Sequence, residues 1–224
     1  MLRVAADQFP NDASLQALVA FVRGYRLYRS YHLWSIKRNG SQSSSDQFLH
    51  VNGTNVFTVL RNWFSKDGSR HRWEFVLDGV RAMFPDLVQN LDFDAVGLLV
   101  TARYQMPGSD AYLPISLAPY GLLTGLLHLT AIASADPGEA LAIDELENSL
   151  HPHAIRHLLE RAREWTDEHR VTLLIATHAP VVLDQFRDDP SQVFIIERHA
   201  PIVPTPLDKL RDPDWLAQFS IGDL

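Results

Sequence analysis

Leu141-Ala-Ile-Asp-Glu-Leu-Glu-Asn-Ser-Leu-His-Pro152, followed by Ile175-Ala-Thr-His-Ala-Pro180, decides how this chain is read. The first run opens with a short apolar strand, Ala140 to Ile143, that ends in two adjacent carboxylates. Ala154 to His169 then reads as a long, charged, amphipathic helix, and Val171 to Ala176 as a second apolar strand ending in Thr177-His178. Val181 to Phe186 reads as a short helix and Val193 to Ile196 as a third strand. Short apolar strands alternating with helices predict an α/β fold, a largely parallel sheet flanked by helices. Ligands of such sheets sit at the carboxyl ends of the strands, so the residues just after each strand are where chemistry is placed.

Asp144-Glu145 and Thr177-His178 occupy those positions and fall on one sheet edge if the strands are parallel neighbours. Two carboxylates at the end of an apolar strand are costly to desolvate unless paired or bound to a cation. Oxygen ligands of this kind suit Mg2+, which binds through one or two carboxylates together with phosphates. One carboxylate then holds the metal while the other faces an attacking water. The plainer alternative is a solvated strand-end pair that caps the following helix.

The two runs together resemble the Walker B, D-loop and switch-histidine segments of ABC/SMC-like ATPases. They are closest to the bacterial AAA-family group that includes the overcoming-lysogenization-defect-like proteins. The resemblance covers roughly Thr54 to His199 and is strongest from Gly121 onward. It implies the C-terminal lobe of a P-loop NTPase, with an α-helical and β-hairpin N-terminal part. The boundaries expected are a helical or insert segment at 1–90 and the catalytic lobe at 91–224. By position, Asp144 would hold Mg2+, Glu145 would polarise the attacking water and His178 would sense the γ-phosphate of ATP. Glu147 to His151 would form the D-loop, with Glu147 and Asn148 reaching nucleotide across a dimer, and Gly121 would belong to the signature turn. The resemblance implies self-association through ATPase heads, and possible DNA or effector-nuclease partners in DNA repair or phage defence.

Two departures from that pattern stand out. None of the eleven glycines begins a G-x-x-x-x-G-K-[ST] loop. That loop lies near the N-terminus in the family, so the chain reads as a fragment, a truncated product or one half of a split protein. It would then need an N-terminal Walker A lobe from elsewhere, and alone it is expected to be inactive. In the signature run Leu117-Ala-Pro-Tyr-Gly-Leu122, Pro119 stands where the family carries a serine and offers no donor to a phosphate; Ser116 is the nearest substitute.

Upstream, Asp12 and Ser14 are candidate caps for a helix carrying Leu15, Leu18, Val19 and Val22, and Asn39 to Asp46 reads as a flexible low-complexity loop. Asn55–Phe64 and His71–Phe84 read as helices, Leu91–Arg103 as a strand, Gly108 and Asp110 as a turn, and Tyr112–Ser116 as the returning strand. Gly121–Ala133 reads as a nearly all-apolar helix. The 224 residues are 46% hydrophobic and 21% charged, a globular composition. The formal net charge of −7 argues against nucleic-acid attraction by the chain as a whole. The chain has no cysteine, hence no thiolate site. Met1–Pro10 has no apolar signal core and no stretch suits a bilayer span, so a cytoplasmic protein without a membrane partner is expected. His151, His153 and His157 invite a zinc reading but lack a clear third ligand. Tyr25, Tyr28, Tyr31, Trp34, Trp63 and Trp73 are base-stacking candidates that buried packing would also explain. Arg23, Arg26, Arg29, Lys37 and Arg38 form a mildly basic stretch, read first as a solvated face. Two further readings are a metal-dependent nuclease using Asp144, Glu145 and His178, against which stands the lack of evident acids for a second metal apart from Glu147 and the distant Glu197, and a non-catalytic dimerisation module.

Overall fold

A computed structural model describes residues 9–196 and 203–210, without the side chain at position 20. Met1 to residue 8, Glu197 and the Ile221–Leu224 run lie outside the described residues. Helix α1 (Ala13–Gly24) starts where expected, with the Asp12 carboxylate accepting from Leu15 N at 3.0 Å. Of its apolar stripe only Val19 is buried, while Leu18 and Val22 remain exposed. A three-residue strand follows, β1 (Arg26–Tyr28), and then α2 (Leu33–Asn39) and β2 (Ser41–Gln42).

The central layer is parallel. Strand β6 (Ala140–Asp144) lies between β1 and β7 (Thr172–Ala176), with Tyr28↔Ile143 and Asp144↔Ala176 in register. This bears out the expected parallel pair and adds β1, which the sequence pattern had hidden. The stretch around Val193 does not join this sheet. Its strand β8 (Phe194–Ile195) pairs antiparallel with β9 (Thr205–Pro206), just before α8 (Leu207–Leu210).

A second, antiparallel sheet corrects the single strand expected from Leu91 to Arg103. Strand β3 (Asn90–Val96) turns at Gly97, whose φ is +60°, into β4 (Leu99–Gln105), and β5 (Tyr112–Pro114) returns along the end of β4. Strand β2 pairs with the start of β4. The low-complexity loop is therefore tied down. Ser41 is buried and its hydroxyl accepts from Phe57 N at 3.1 Å, and the Asn62 amide donates to Asp46 O at 2.8 Å. Short polar side chains of this kind satisfy backbone groups that a sheet ladder would otherwise pair.

Helix α5 (Tyr120–Ala133) is buried at every position from Leu122 to Ala133. Helices α3 (Val56–Ser65), α4 (Arg70–Met83), α6 (Pro152–His169) and α2 all pack on it. A Cβ at Gly125 would lie 2.6 Å from Met83 Cε, the far end of a flexible side chain, and 3.1 Å from Phe84 Cε2, so α4 and α5 meet closely there. Helix α6 buries Ala154, Ile155, Leu158, Leu159, Ala162 and Trp165 on one stripe, with Pro152 at its first turn and Arg170 left-handed at its end. Among the described residues no helix is long and apolar enough to cross a membrane.

His128 sits in the middle of α5, 4% exposed, with Nδ1 3.2 Å from the Tyr31 hydroxyl. Burial pushes its pKa down from 6.5 to about 4, opposed only partly by the backbone at Leu146. The unfolded chain therefore binds the extra proton between those values, so this contribution is complete above pH 6.5 and is lost as pH falls toward 4. By pH 5 the loss should be about 2 kcal/mol relative to neutral pH. Urea denaturation across that window should show a decline that His128→Gln flattens.

Candidate functional site

The site begins with the end of β6. Asp144 is the last ladder residue, and Glu145 N donates to Ala176 O at 2.8 Å, one bond beyond the regular pairing. The next residues of both strands are thereby forced to the same edge. Glu145 itself turns the chain with φ of 53°, a left-handed conformation uncommon for a residue with a side chain. Ser149, with φ of 66°, closes the same turn.

Inside the turn, Asn148 N donates to Glu145 O at 3.0 Å, and the Asn148 amide donates to Glu145 Oε2 at 2.6 Å. The Glu145 carboxylate is thus held by a neighbour three residues on. Asp144 has a different partner: Arg29, just past the end of β1, places Nε 3.4 Å from Asp144 Oδ2. The Arg29 side chain is 71% exposed, so this is a loose surface pair of small energetic weight.

Glu147 is turned inward, its side chain 13% exposed. Its carboxylate accepts from the Thr177 hydroxyl at 2.9 Å and from His178 N at 3.5 Å, and His178 Nδ1 lies 3.7 Å away. Thr177 Oγ1 in turn accepts from Ala179 N at 3.0 Å, just before α7 (Pro180–Leu183). Glu147 therefore fastens the turn after β6 to the turn after β7. His178 is left projecting, its side chain 82% exposed, free to meet a group arriving from outside.

Gly121 enters from the start of α5. A Cβ there would lie 2.7 Å from Ser149 O, so the helix and the turn approach as only glycine permits. Pro119 immediately precedes α5 and provides no side-chain cap. Ser116 lies in the short turn Ile115–Leu117. Asp144, Glu145, Glu147, Asn148 and His178 are all brought to one edge, and Gly121 abuts it through Ser149. The histidines next door have other occupations: His151 Nδ1 accepts from His153 N at the start of α6, the His153 and His157 rings are in contact, and His157 faces Glu160 at 3.0 Å. Among the described residues no group of three or more His, Asp or Glu is placed to hold a metal by itself. Of the fasteners, Thr177 was expected at this edge without a catalytic role, and Arg29 was not among the expected site residues. Thr177 stands beside His178 in the motif, whereas Arg29 has no signal apart from its place in a basic stretch.

The oxygen-only donor set at Asp144 and Glu145 suits a hard divalent cation that brings further ligands from a phosphate. The close approach at Gly121 gives a direct check. Gly121→Ala should displace the 147–150 turn at a cost of about 1–3 kcal/mol. Urea unfolding would read that cost, and hydrogen exchange should rise at Asn148 and Leu150 without rising in α6.

The family model described as "AAA domain, putative AbiEii toxin, Type IV TA system" matches residues 18–184, which include both strands, the 145–150 turn and His178. No curated protein matches the chain. The matched span is most of the chain, and its parallel sheet flanked by helices is consistent with a P-loop NTPase-like fold: the chain belongs to this family of AAA domains, nucleotide-binding ATPase modules.

Proposed function

We propose that the β6–β7 edge is the metal- and water-handling half of an ATP site in an ABC/SMC-like head, close to the overcoming-lysogenization-defect-like group. The observation that carries this reading is the meeting of Asp144, Glu145 and His178 at one strand edge, fastened by Glu147. Asp144 would hold Mg2+, which supplies charge neutralisation at the β- and γ-phosphates. Glu145 accepts a proton from, and orients, the attacking water. Its hydrogen bond from Asn148 fixes the direction of the carboxylate. His178, exposed at the tip of the neighbouring turn, donates to the γ-phosphate.

These 224 residues contain no G-x-x-x-x-G-K-[ST] run. Backbone N–H groups and the lysine of such a loop cradle the phosphates elsewhere. The phosphate half is therefore supplied from outside these residues, and the turn Glu147–His151 with Gly121 faces a second head. Regulation of a DNA-bound or effector-nuclease partner is the context this assembly suits.

A second reading is a head that associates but no longer hydrolyses ATP. Pro119 favours it, because the residue before α5 has no donor for a partner's phosphate.

Phosphate release by the protein assembled with its native partner separates the two. The first reading predicts that Glu145→Gln lowers the rate by about a hundredfold or more while nucleotide is still bound. An unchanged rate in Glu145→Gln would overturn it. Absence of hydrolysis in the wild-type assembly, with association intact, would leave the second. Nucleotide-independent cleavage of plasmid DNA with Mg2+ or Mn2+, lost in Glu145→Ala, would replace both with a nuclease.

A further inference from the structure

The aromatic and basic residues of the N-terminal third are sorted sharply by the fold. Tyr28, Trp63 and Trp73 are buried. Arg26 is spent on Glu139 at 2.8 Å. Trp34, in the first turn of α2, is 63% exposed, and Tyr120, the first residue of α5, is 46% exposed. They line one open cleft of about 490 Å³, together with Tyr31, His32, Ser35 and Ser149. That volume lies within the range of small-ligand sites, roughly 300–1,000 Å³.

Each exposed ring carries a cation. Lys37 Nζ stands 4.7 Å from the centre of the Tyr120 ring and donates to Ala118 O at 2.5 Å, which holds it in place. The Arg38 guanidinium lies 5.2 Å from the centre of the Trp34 ring, one helical turn along α2. No residue lining the cleft carries a carboxylate. In a chain of net charge −7, this is a local island of positive charge beside two exposed rings, each with one face toward a cation.

We infer that this cleft binds single-stranded nucleic acid. Exposed aromatic faces stack unpaired bases whatever their sequence, and flanking cations follow the phosphates. A duplex offers the rings nothing, because its base faces are already stacked on one another. An apolar partner would leave Lys37 and Arg38 without a counter-charge. The cleft is separate from the Asp144–Glu145 edge but shares the 147–150 turn with it, since Ser149 lines the cleft and Asn148 holds Glu145. The inference stands independently of the ATPase reading.

The test uses the full chain and a labelled oligothymidylate of roughly ten nucleotides, inside the span of known strand sites. Trp34 is the one exposed tryptophan among the described residues, so binding should quench tryptophan fluorescence. By anisotropy, Trp34→Ala and Tyr120→Ala should each weaken binding about tenfold or more. Trp34→Phe should largely restore it, which separates stacking from misfolding. Replacing Lys37 and Arg38 by Met should make the salt dependence shallower by about 0.7 for each phosphate no longer neutralised. No quenching at low salt would overturn the inference. So would equal binding of duplex or heparin with no effect of Trp34→Ala, which is polyanion adsorption. Competition by a single nucleotide as strong as by the oligomer would also overturn it.

Discussion

The parallel pairing of β6 with β7 is the constraint from which the rest of the site follows. Five residue pairs, from Ala140↔Thr172 to Asp144↔Ala176, set the register, and the Glu145 N to Ala176 O bond carries it one step further. In a parallel ladder both strands end on the same side. Asp144 and His178, 34 positions apart in sequence, therefore share an edge without any contact that draws them together. A slip of one residue would turn Ile143 and Ile175 away from the core and point Asp144 into it. The burial of those isoleucine faces thus fixes the placement of the polar groups.

Beyond the strands, polar fasteners take over from apolar burial. Glu147 spans the two turns through Thr177 and His178, and Asn148 orients Glu145. The turn contains two left-handed residues with side chains, Glu145 and Ser149, each costing about 1–2 kcal/mol. The surroundings over-determine that conformation. Gly121 admits the Ser149 carbonyl, and α5 behind it is buried along nearly its whole length. The rigid helix, the strained turn and the two strand ends form one unit. Preorganisation of this kind is what phosphoryl transfer requires, since positioning and electrostatics supply most of its catalysis.

Much of this was legible in the sequence where period and length were strong. The helices α3 to α6 and the strands β6 and β7 lie within a residue or two of their expected bounds, because their apolar residues recur regularly over long runs. Strand β1 was not legible. Three residues, Arg26–Tyr28, carry no period of their own and become a strand only by pairing with β6. The hairpin at Gly97 was hidden because Val96, Leu98 and Leu99 continue the apolar run through the turn and remain exposed. The strand near Val193 was apolar enough to predict but not to place, and its partner is Thr205–Pro206 rather than the central sheet. In the site, the grouping of Asp144, Glu145 and His178 followed from strand-end logic. The inward turn of Glu147 and the reach of Arg29 to Asp144 did not, because both are tertiary contacts without a local pattern.

In the function we propose, these residues supply a metal ligand and the water-activating groups of an ATP site but not its phosphate cradle. Calorimetry of Mg2+-ATP against the 224-residue chain tests it most directly, with Glu145→Gln as the comparison. No measurable heat is expected at sub-millimolar ATP for either protein. Tight binding by both would contradict it, because a segment of this chain would then be cradling the phosphates by itself.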